Sequence, residues 1–487
     1  MLTAITKHPE FTLMQTELTK IRDCVRGAFF VKQKTVDYLP HPSSLDTVSK
    51  SARMRYQQYI AGAEFDEIPS QTLKSLVGKM EFETAEIEVP ERLSYLLEDA
   101  DGDGMSIDAM MSQTAQNILP AKWHVLVADY QGLSDLPAEG VSVADLKALK
   151  PRATIKQYNR DSVVYWHFQR INGKMQLSYI CFYEQGLIFN QAAMTQKTID
   201  SYLILALDEN GNYYQQKIVS GADGGLQEGE RSYVQVGGAP LKWLPVQIVS
   251  DEALQAGSMP VEMGYLSGIV DLTLARYQVS AEYKEAMRML PPTTNFYGIG
   301  SIDWEQFKEV NGRDYVATGA GAVNIFSGES RGELLSANVA LEGYERYFKD
   351  NEAKLRALGA VFPADLSGSR TATEVQTYSE EQSSRLVGLA NQLEGAFTRI
   401  LQYCGMFEGL WPQDMVEQND QIEIKLKKDF SQSRISAQDV QQIRENYLSG
   451  LIDRQEAVDQ LAQGGWTVAS AEDLLNRSDG GDLPSNA

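Results

Sequence analysis

Two consecutive prolines, Pro291-Pro292, close a long helical register, and they constrain the fold more than any other feature of the chain. Val261 to Leu290 keeps helical periodicity for about 30 residues, roughly 45 Å if continuous. A proline pair that cannot donate to the ladder must end it there. A glycine-rich stretch, Thr293 to Gly332, follows. It reads as a small α/β insertion, with a helix near Trp304 to Lys308 and strands near Tyr315-Val316 and Val323 to Phe326. Ser336 then caps a second long helix reaching about Leu358. A loop with Gly359, Pro363, Gly368 and Ser369 leads to a third helix, Thr371 to Cys404, opened by Thr371 and Glu374 at capping-box spacing. Its apolar stripe is Leu386, Leu389, Leu393, Phe397, Ile400, Leu401 and Cys404.

The chain ahead of these helices changes period once. Up to about residue 120 it is helical: Thr12 to Phe30, Ser51 to Phe65, Ser70 to Val77, Glu91 to Leu97 behind Pro90, and a helix to Leu119 capped by Ser106 with Asp108 in its first turn. From Trp123 to Val249 the period moves towards two. His124 to Asp129, Thr154 to Tyr158, Ser162 to Gln169, Met175 to Tyr183, Ser201 to Leu207, Tyr213 to Val219 and Tyr233 to Val236 read as strands. Asn172-Gly173, Asn210-Gly211 and Gly237-Gly238 mark turns between them, and Gly221 to Glu230 reads as loose. This is a largely antiparallel β module. The last 70 residues or so hold one charged strand, Gln421 to Lys427, and three short helices starting at Ser436, Asp453 and Ser470. The fold class expected is α+β, predominantly α-helical.

Charge narrows the function. Sixty-six acidic residues against 44 basic give a net charge of -22 over 487 residues. That excludes a protein coating nucleic acid with a basic face, because such binding runs on phosphate neutralisation. It equally excludes an anionic membrane surface as partner, and no apolar run reaches the length of a membrane span. Hydrophobic residues at 43% are enough for a sizeable core. Cys24, Cys181 and Cys404 lie far apart, which fits a reducing environment or indifference to redox state. The opening MLTAITKHPEF lacks the apolar core of a secretory signal, so synthesis in the cytoplasm is expected.

Each chemical motif has a competing structural reading. Asp99-Ala-Asp101-Gly-Asp103-Gly104 matches the first half of a calcium loop, but the twelfth position, where a bidentate Glu belongs, is Met110. An acidic turn leading into the Ser106 helix is the preferred reading; a metal-dependent hydrolase or nuclease built on Asp99, Asp101 and Asp103 is the alternative. Gly298-Ile-Gly300 and Gly319-Ala-Gly321 lack the third glycine of a dinucleotide loop and read as turns. His8, His41, His124 and His167 form no metal-ligand pattern, and no GxxxxGK[ST] or GxSxG occurs. Arg346, Lys349, Lys354 and Arg356 are offset by Glu342, Glu345, Asp350 and Glu352, the pattern of a solvated or inter-subunit helix face. No catalytic residue, cofactor site or metal site is therefore assigned, and the chain is expected to be non-enzymatic.

The order of parts, long helix to double proline, α/β insertion, returning helix, Gly/Ser loop, very long helix and helical tail, resembles the portal proteins of tailed bacteriophages. These form the ring at one capsid vertex through which DNA enters and leaves. Local segments agree: His8-Pro9-Glu10-Phe11, Ile21-Arg22-Asp23-Cys24-Val25, Tyr38-Leu39-Pro40, Leu76-Val77-Gly78, Asp101-Gly-Asp103-Gly104-Met105-Ser106, Leu358-Gly359-Ala360 and Ser369-Arg370-Thr371-Ala372-Thr373-Glu374-Val375. The likeness runs from about residue 8 to 475.

The resemblance implies an assignment of parts. Residues 1–259 would form the wing, 260–290 the first stem helix, 291–333 the clip and 334–359 the second stem helix. Residues 360–429 would carry the tunnel loop, the long helix and a returning wing strand, 430–476 the crown, and 477–487 a disordered tail. Phe362, Asp365, Ser367, Gly368, Ser369 and Arg370 would face DNA, Arg370 being the residue most able to touch phosphate or, equally, to pair with a neighbouring helix. Trp304, Lys308, Arg313 and Tyr315 would belong to the clip's docking region. Implied partners are further copies in a ring, of about twelve in this family, the terminase large subunit, head–tail adaptor proteins, the major capsid protein and double-stranded DNA passing non-specifically. The implied location is the virion, at the portal vertex, with no membrane partner. Net acidity suits a conduit, since weak attraction lets a duplex slide.

Overall fold

A computed structural model of the chain describes residues 5–42, 49–131, 152–190, 194–220, 225–290, 293–297, 301–316, 324–325, 331–335, 340–362, 372–416, 420–428, 430, 437–452 and 456–457. Among the described residues helix outweighs strand, in keeping with a predominantly helical α+β fold. The chain divides into two units: Met1–Thr19 with Thr72–Leu266 and Phe362–Ala487, and Lys20–Gln71 with Ser267–Val361.

The first unit is built on sheets. Strand β1 (Glu86–Glu88) is followed by the helix Ile107–Ala121, then by β2 (Trp123–Gln131), β3 (Arg152–Asn159), β4 (Val163–Ile171), β5 (Lys174–Asn190), β6 (Thr195–Leu207), β7 (Tyr213–Ser220), β8 (Leu226–Tyr233), β9 (Gln235–Val236), β10 (Ala239–Pro240) and β11 (Val246–Ser250). Strands β4 to β8 form an antiparallel meander in chain order, while β11, β2 and β3 form a separate three-stranded sheet with β2 central. Asn172 and Gly173 join β4 to β5 with φ of 50° and 81°, the left-handed pair that a tight hairpin turn requires. Of Gly221 to Glu230, expected to be loose, Leu226 to Glu230 lie in strand β8: Gly229 lies so close to the Lys217 carbonyl that a Cβ would come within 2.7 Å of it, so the glycine there permits pairing. Ser106 has the extended backbone of an N-cap, but its hydroxyl makes no capping bond.

The helix Ala372–Phe407 is the spine of this unit, packing on β2, β3 and β11 and on the Ile107–Ala121 helix. Its stripe of Leu386, Leu389, Leu393, Phe397, Ile400, Leu401 and Cys404 is buried as the spacing predicts. Further on, β14 (Glu423–Lys425) returns to pair with β1.

The second unit is helical. Ser267–Met289 is its axis, and Lys50–Gly62 and Glu342–Ala357 pack against it. The returning helix begins at Glu342 rather than Ser336, whose position lies outside the described residues. Between the two long helices, β12 (Thr293–Tyr297) pairs antiparallel with β13 (Arg331–Leu335) and brackets the helix Ser301–Asn311. The strand expected at Tyr315-Val316 is absent; those residues lie in the turn after the helix. Of Val323 to Phe326, Asn324 and Ile325 are described and form no strand. No described helix is long and apolar enough to cross a membrane.

Candidate functional site

The insertion offers the clearest solvent-facing surface among the predicted positions. On the helix Ser301–Asn311, Trp304 stacks on Phe307 with ring centroids 5.0 Å apart, and Phe307 is buried. Lys308 pairs with Glu305 one turn back, at 2.6 Å. Asn311 ends the helix by working as a surrogate strand. Its Nδ2 donates to the Ile325 carbonyl at 2.7 Å, and its Oδ1 accepts from the Ile325 N–H at 3.1 Å. Arg313 donates to Asn324 Oδ1 at 2.8 Å, and its guanidinium lies 5.9 Å from the Tyr315 ring. Arg313 and Tyr315 are thus brought together, whereas Trp304 turns to Phe307 and Lys308 to Glu305. Val310, Tyr315 and Ile325 remain exposed around the Asn311 clasp. Exposed apolar groups beside a guanidinium suit contact with another protein rather than bond chemistry. Val310 and Ile325 escaped the sequence reading; the one local signal was an apolar residue set directly before Asn311-Gly312.

Of the residues expected to face DNA, Phe362 is described and half-buried. Asp365, Ser367, Gly368, Ser369 and Arg370 lie outside the described residues, as do the helix starts at Ser436, Asp453 and Ser470.

The acidic turn is occupied by the protein's own donors. Asp99 Oδ1 accepts from the amides of Gly102 and Gly104, both at 2.9 Å, and its other oxygen pairs with Arg152. Asp101 Oδ1 accepts from the amides of Asp103 and Met105, at 2.9 and 3.0 Å. The Gly104 amide outweighs the cost of desolvation and, with Arg152 and the Gly102 amide, holds the Asp99 carboxyl below its usual range. These contacts fold the loop on itself, and no group of three or more His, Cys, Asp or Glu among the described residues is arranged to hold a metal ion.

Two buried polar centres in the first unit were not visible in the sequence. Arg160, 1% exposed, sends one guanidinium nitrogen to the carbonyls of Ala121 and Glu262, both at 2.6 Å, and the other to those of Pro260 and Val261, at 3.0 and 2.9 Å. Trp123 Nε1 donates to the same Pro260 carbonyl at 3.0 Å. A Cβ on Gly264 would come within 2.3 Å of the Leu119 carbonyl, so the chain passes there only as glycine. Together these contacts fasten residues 260–264, which lead towards the Ser267–Met289 helix, to the end of the Ile107–Ala121 helix. The second centre is Glu408, which accepts from Tyr95 Oη at 3.2 Å and the Ala153 N–H at 2.8 Å, with Arg92 at 3.4 Å.

A cleft of about 350 Å³ opens in the same unit. Its lining includes Leu76, Leu119, Tyr265, Leu386 and Leu389, with Arg385 5.0 Å from the Tyr265 ring. Lys122 pairs with Asp251 and Glu252 beside it, both at 3.0 Å. Burial opposes the charge on Lys122, but the two carboxylates win and raise its pKa. Ser384 also lines it, together with the Asp251 and Glu252 carboxylates that Lys122 holds.

A family described as a domain of unknown function (DUF4055) matches residues 265–408, from the Ser267–Met289 helix to the end of the Ala372–Phe407 helix. No curated protein matches the chain. Among solved structures, it is similar to a chain in the virion of a native gene transfer agent particle, with 12% identity, 89% of this chain and 98% of that chain covered, and a TM-score of 0.39. A chain in the neck of the native gene transfer agent particle, computed with C12 symmetry, matches at 11% identity over 88% of this chain and 98% of that one, with a TM-score of 0.39. An HK97 family phage portal protein from Corynebacterium diphtheriae matches at 8% identity over 74% of this chain and 91% of that one, with a TM-score of 0.29.

Proposed function

We propose that this chain is a portal subunit: a ring-forming, non-enzymatic virion protein that conducts double-stranded DNA at one capsid vertex. The observation that carries the reading is the order of elements from residue 267 onwards. A 23-residue helix leads to a strand-bracketed insertion, a 16-residue helix returns, and a 36-residue helix follows. That is the stem–clip–stem–long helix series of the family the sequence resembles. In this reading the insertion is the clip, and its exposed Val310, Tyr315 and Ile325, with Arg313, are the docking surface for the terminase large subunit and later the head–tail adaptors. Residues 361–370 are the tunnel loop, with Arg370 reaching phosphate, and residues 1–259 form the wing that meets the major capsid protein. The chain's charge of -22 supports passage over capture, because a duplex is not held by an acidic wall.

Electron microscopy of the purified chain tests this directly. The expected particle is a ring of about twelve copies, each of 54.2 kDa, with an axial channel of about 20 Å or more, enough for a duplex. A chain that stays monomeric at every concentration, alone and with capsid protein, overturns the reading.

A further inference from the structure

Three Asn-Gly pairs occur in the chain, Asn172-Gly173, Asn210-Gly211 and Asn311-Gly312, and the fold holds them in different ways. This dipeptide carries its own chemistry. The glycine nitrogen, with no Cβ beside it, can attack the asparagine carboxamide carbon, which is one reason asparagine is a thermolabile residue. The reaction needs three groups to be available together: the nucleophilic glycine nitrogen, the carboxamide carbonyl and the departing Nδ2.

At Asn311 all three are tied. The Gly312 amide donates to the Lys308 carbonyl at 2.9 Å. Asn311 Oδ1 accepts from the Ile325 N–H at 3.1 Å, and Nδ2 donates to the carbonyls of Phe307 and Ile325 at 2.9 and 2.7 Å. At Asn210 the backbone is held: the Gly211 amide donates to the Asp208 carbonyl at 2.9 Å, the Asn210 amide to Asp208 Oδ1 at 2.9 Å, and Lys242 Nζ to the Asn210 carbonyl at 3.3 Å. At Asn172 none of the three is engaged. Its carboxamide and the Gly173 amide make no hydrogen bond among the described residues, and both residues are exposed. They form the tip of the β4–β5 hairpin, beyond the Ile171–Lys174 rung. Arg170 donates to the Gly173 carbonyl at 2.8 Å, which holds the tip but leaves its nitrogen bare. For the attack Asn172 must rotate out of its left-handed conformation, at φ 50°. A hairpin tip does this by local opening, at the low-cost end of the range for a fold.

We propose that Asn172 is a site of spontaneous covalent modification, with water as the co-reactant. The Gly173 nitrogen forms a bond to Asn172 Cγ, the Cγ–Nδ2 bond breaks, and Nδ2 leaves as ammonia with the proton that the glycine nitrogen gives up. Water then opens the cyclic imide, at Cγ to leave aspartate or at the main-chain carbonyl to leave isoaspartate. Nothing is oxidised or reduced. Either product adds a carboxylate in the sequence between Arg170 and Lys174. Isoaspartate also lengthens the main chain of a two-residue turn by one atom, which removes the left-handed pair that closes the hairpin.

The test incubates the full-length folded chain in mildly alkaline buffer, beside the same chain in urea, and follows each Asn-Gly peptide by mass spectrometry. In urea the three sites should react at similar rates, because only the dipeptide governs them there. In the folded chain Asn172 should stay within a few-fold of its rate in urea, Asn210 should be slower, and Asn311 should be at least tenfold slower than Asn172. Aspartate and isoaspartate should both appear at position 172, and the rate should rise with pH, since the attacking nitrogen must lose its proton. A folded-state rate at Asn172 as low as that at Asn311 overturns the proposal, because the hairpin tip then shields the pair. A product at position 172 that never includes isoaspartate overturns the imide route.

Discussion

The sheet-rich unit takes charge inside, whereas the helical unit keeps most of its charges at the rim. In the first, Arg160, Glu408, Asp129 and His124 are all under a tenth exposed. Each is held by backbone or by a neighbouring side chain. In the second, Arg55 meets Glu285 at 2.6 Å, Lys284 meets Glu64 at 2.6 Å and Lys20 meets Asp271 at 2.8 Å, each pair with at least one partner well exposed. Asp23 is its buried exception, bound by Tyr38 Oη at 2.9 Å. Buried centres cannot be lost in part, because removing one member strands its partners in a dry interior. Rim pairs can be lost and re-formed at little cost. The sheet-rich unit is thus expected to be the brittle one, and the helical unit the tolerant one.

Arg160→Leu should give the largest effect. It leaves the carbonyls of Ala121, Val261 and Glu262 without the arginine donor and that of Pro260 with Trp123 alone, and unpaired buried groups cost about 1–3 kcal/mol each. A loss of at least about 3 kcal/mol is expected in urea unfolding, with faster hydrogen exchange across 107–131. A loss below about 1 kcal/mol would break the contrast between the units.

His124 gives the next effect, through pH. Complete burial pushes its pKa from 6.5 down to about 4, so the unfolded chain takes up the proton first. Its stabilising contribution is full above about pH 6.5 and is lost as pH falls towards 4, by roughly 3 kcal/mol at about 1.36 kcal/mol per unit. Urea midpoints measured from pH 7 to 4 should fall accordingly, and His124→Gln should flatten that slope.

Arg55→Gln should give the smallest effect. Its pair with Glu285 is exposed on the arginine side, so a loss under about 1 kcal/mol is expected, shrinking further in about 1 M salt. A larger or salt-independent loss would show that the rim carries more of the helical unit's stability than its exposure implies.

What was legible in the sequence was local. Helical periodicity over Val261–Leu290 and Thr371–Cys404 found Ser267–Met289 and Ala372–Phe407, and Asn172-Gly173 marked its hairpin, since repeat and turn chemistry are written in neighbouring residues. Pairings such as β1 with β14, or β12 with β13, have no local signature, because partners far apart in the chain meet only after folding. Arg160 falls between two expected strands with nothing local to mark it; it is buried only because the ends of two distant segments converge on it. Trp304, Lys308, Arg313 and Tyr315 were singled out only by place in the order of parts, whereas the exposure of Val310 and Ile325 depends on a clasp that no spacing encodes.

The Ala372–Phe407 helix ends against Trp411, whose indole donates to the Gln402 carbonyl at 2.9 Å and sits where a side chain on Gly405 would come within 2.1 Å. That end is a fulcrum, and 36 residues of helix make an arm of about 54 Å. By simple leverage, a tilt of about 2° at the fulcrum moves the far end by about 2 Å over such a length. A change in the fit of that one tryptophan on that one glycine is therefore amplified along the helix towards Ala372, thirty-odd residues away.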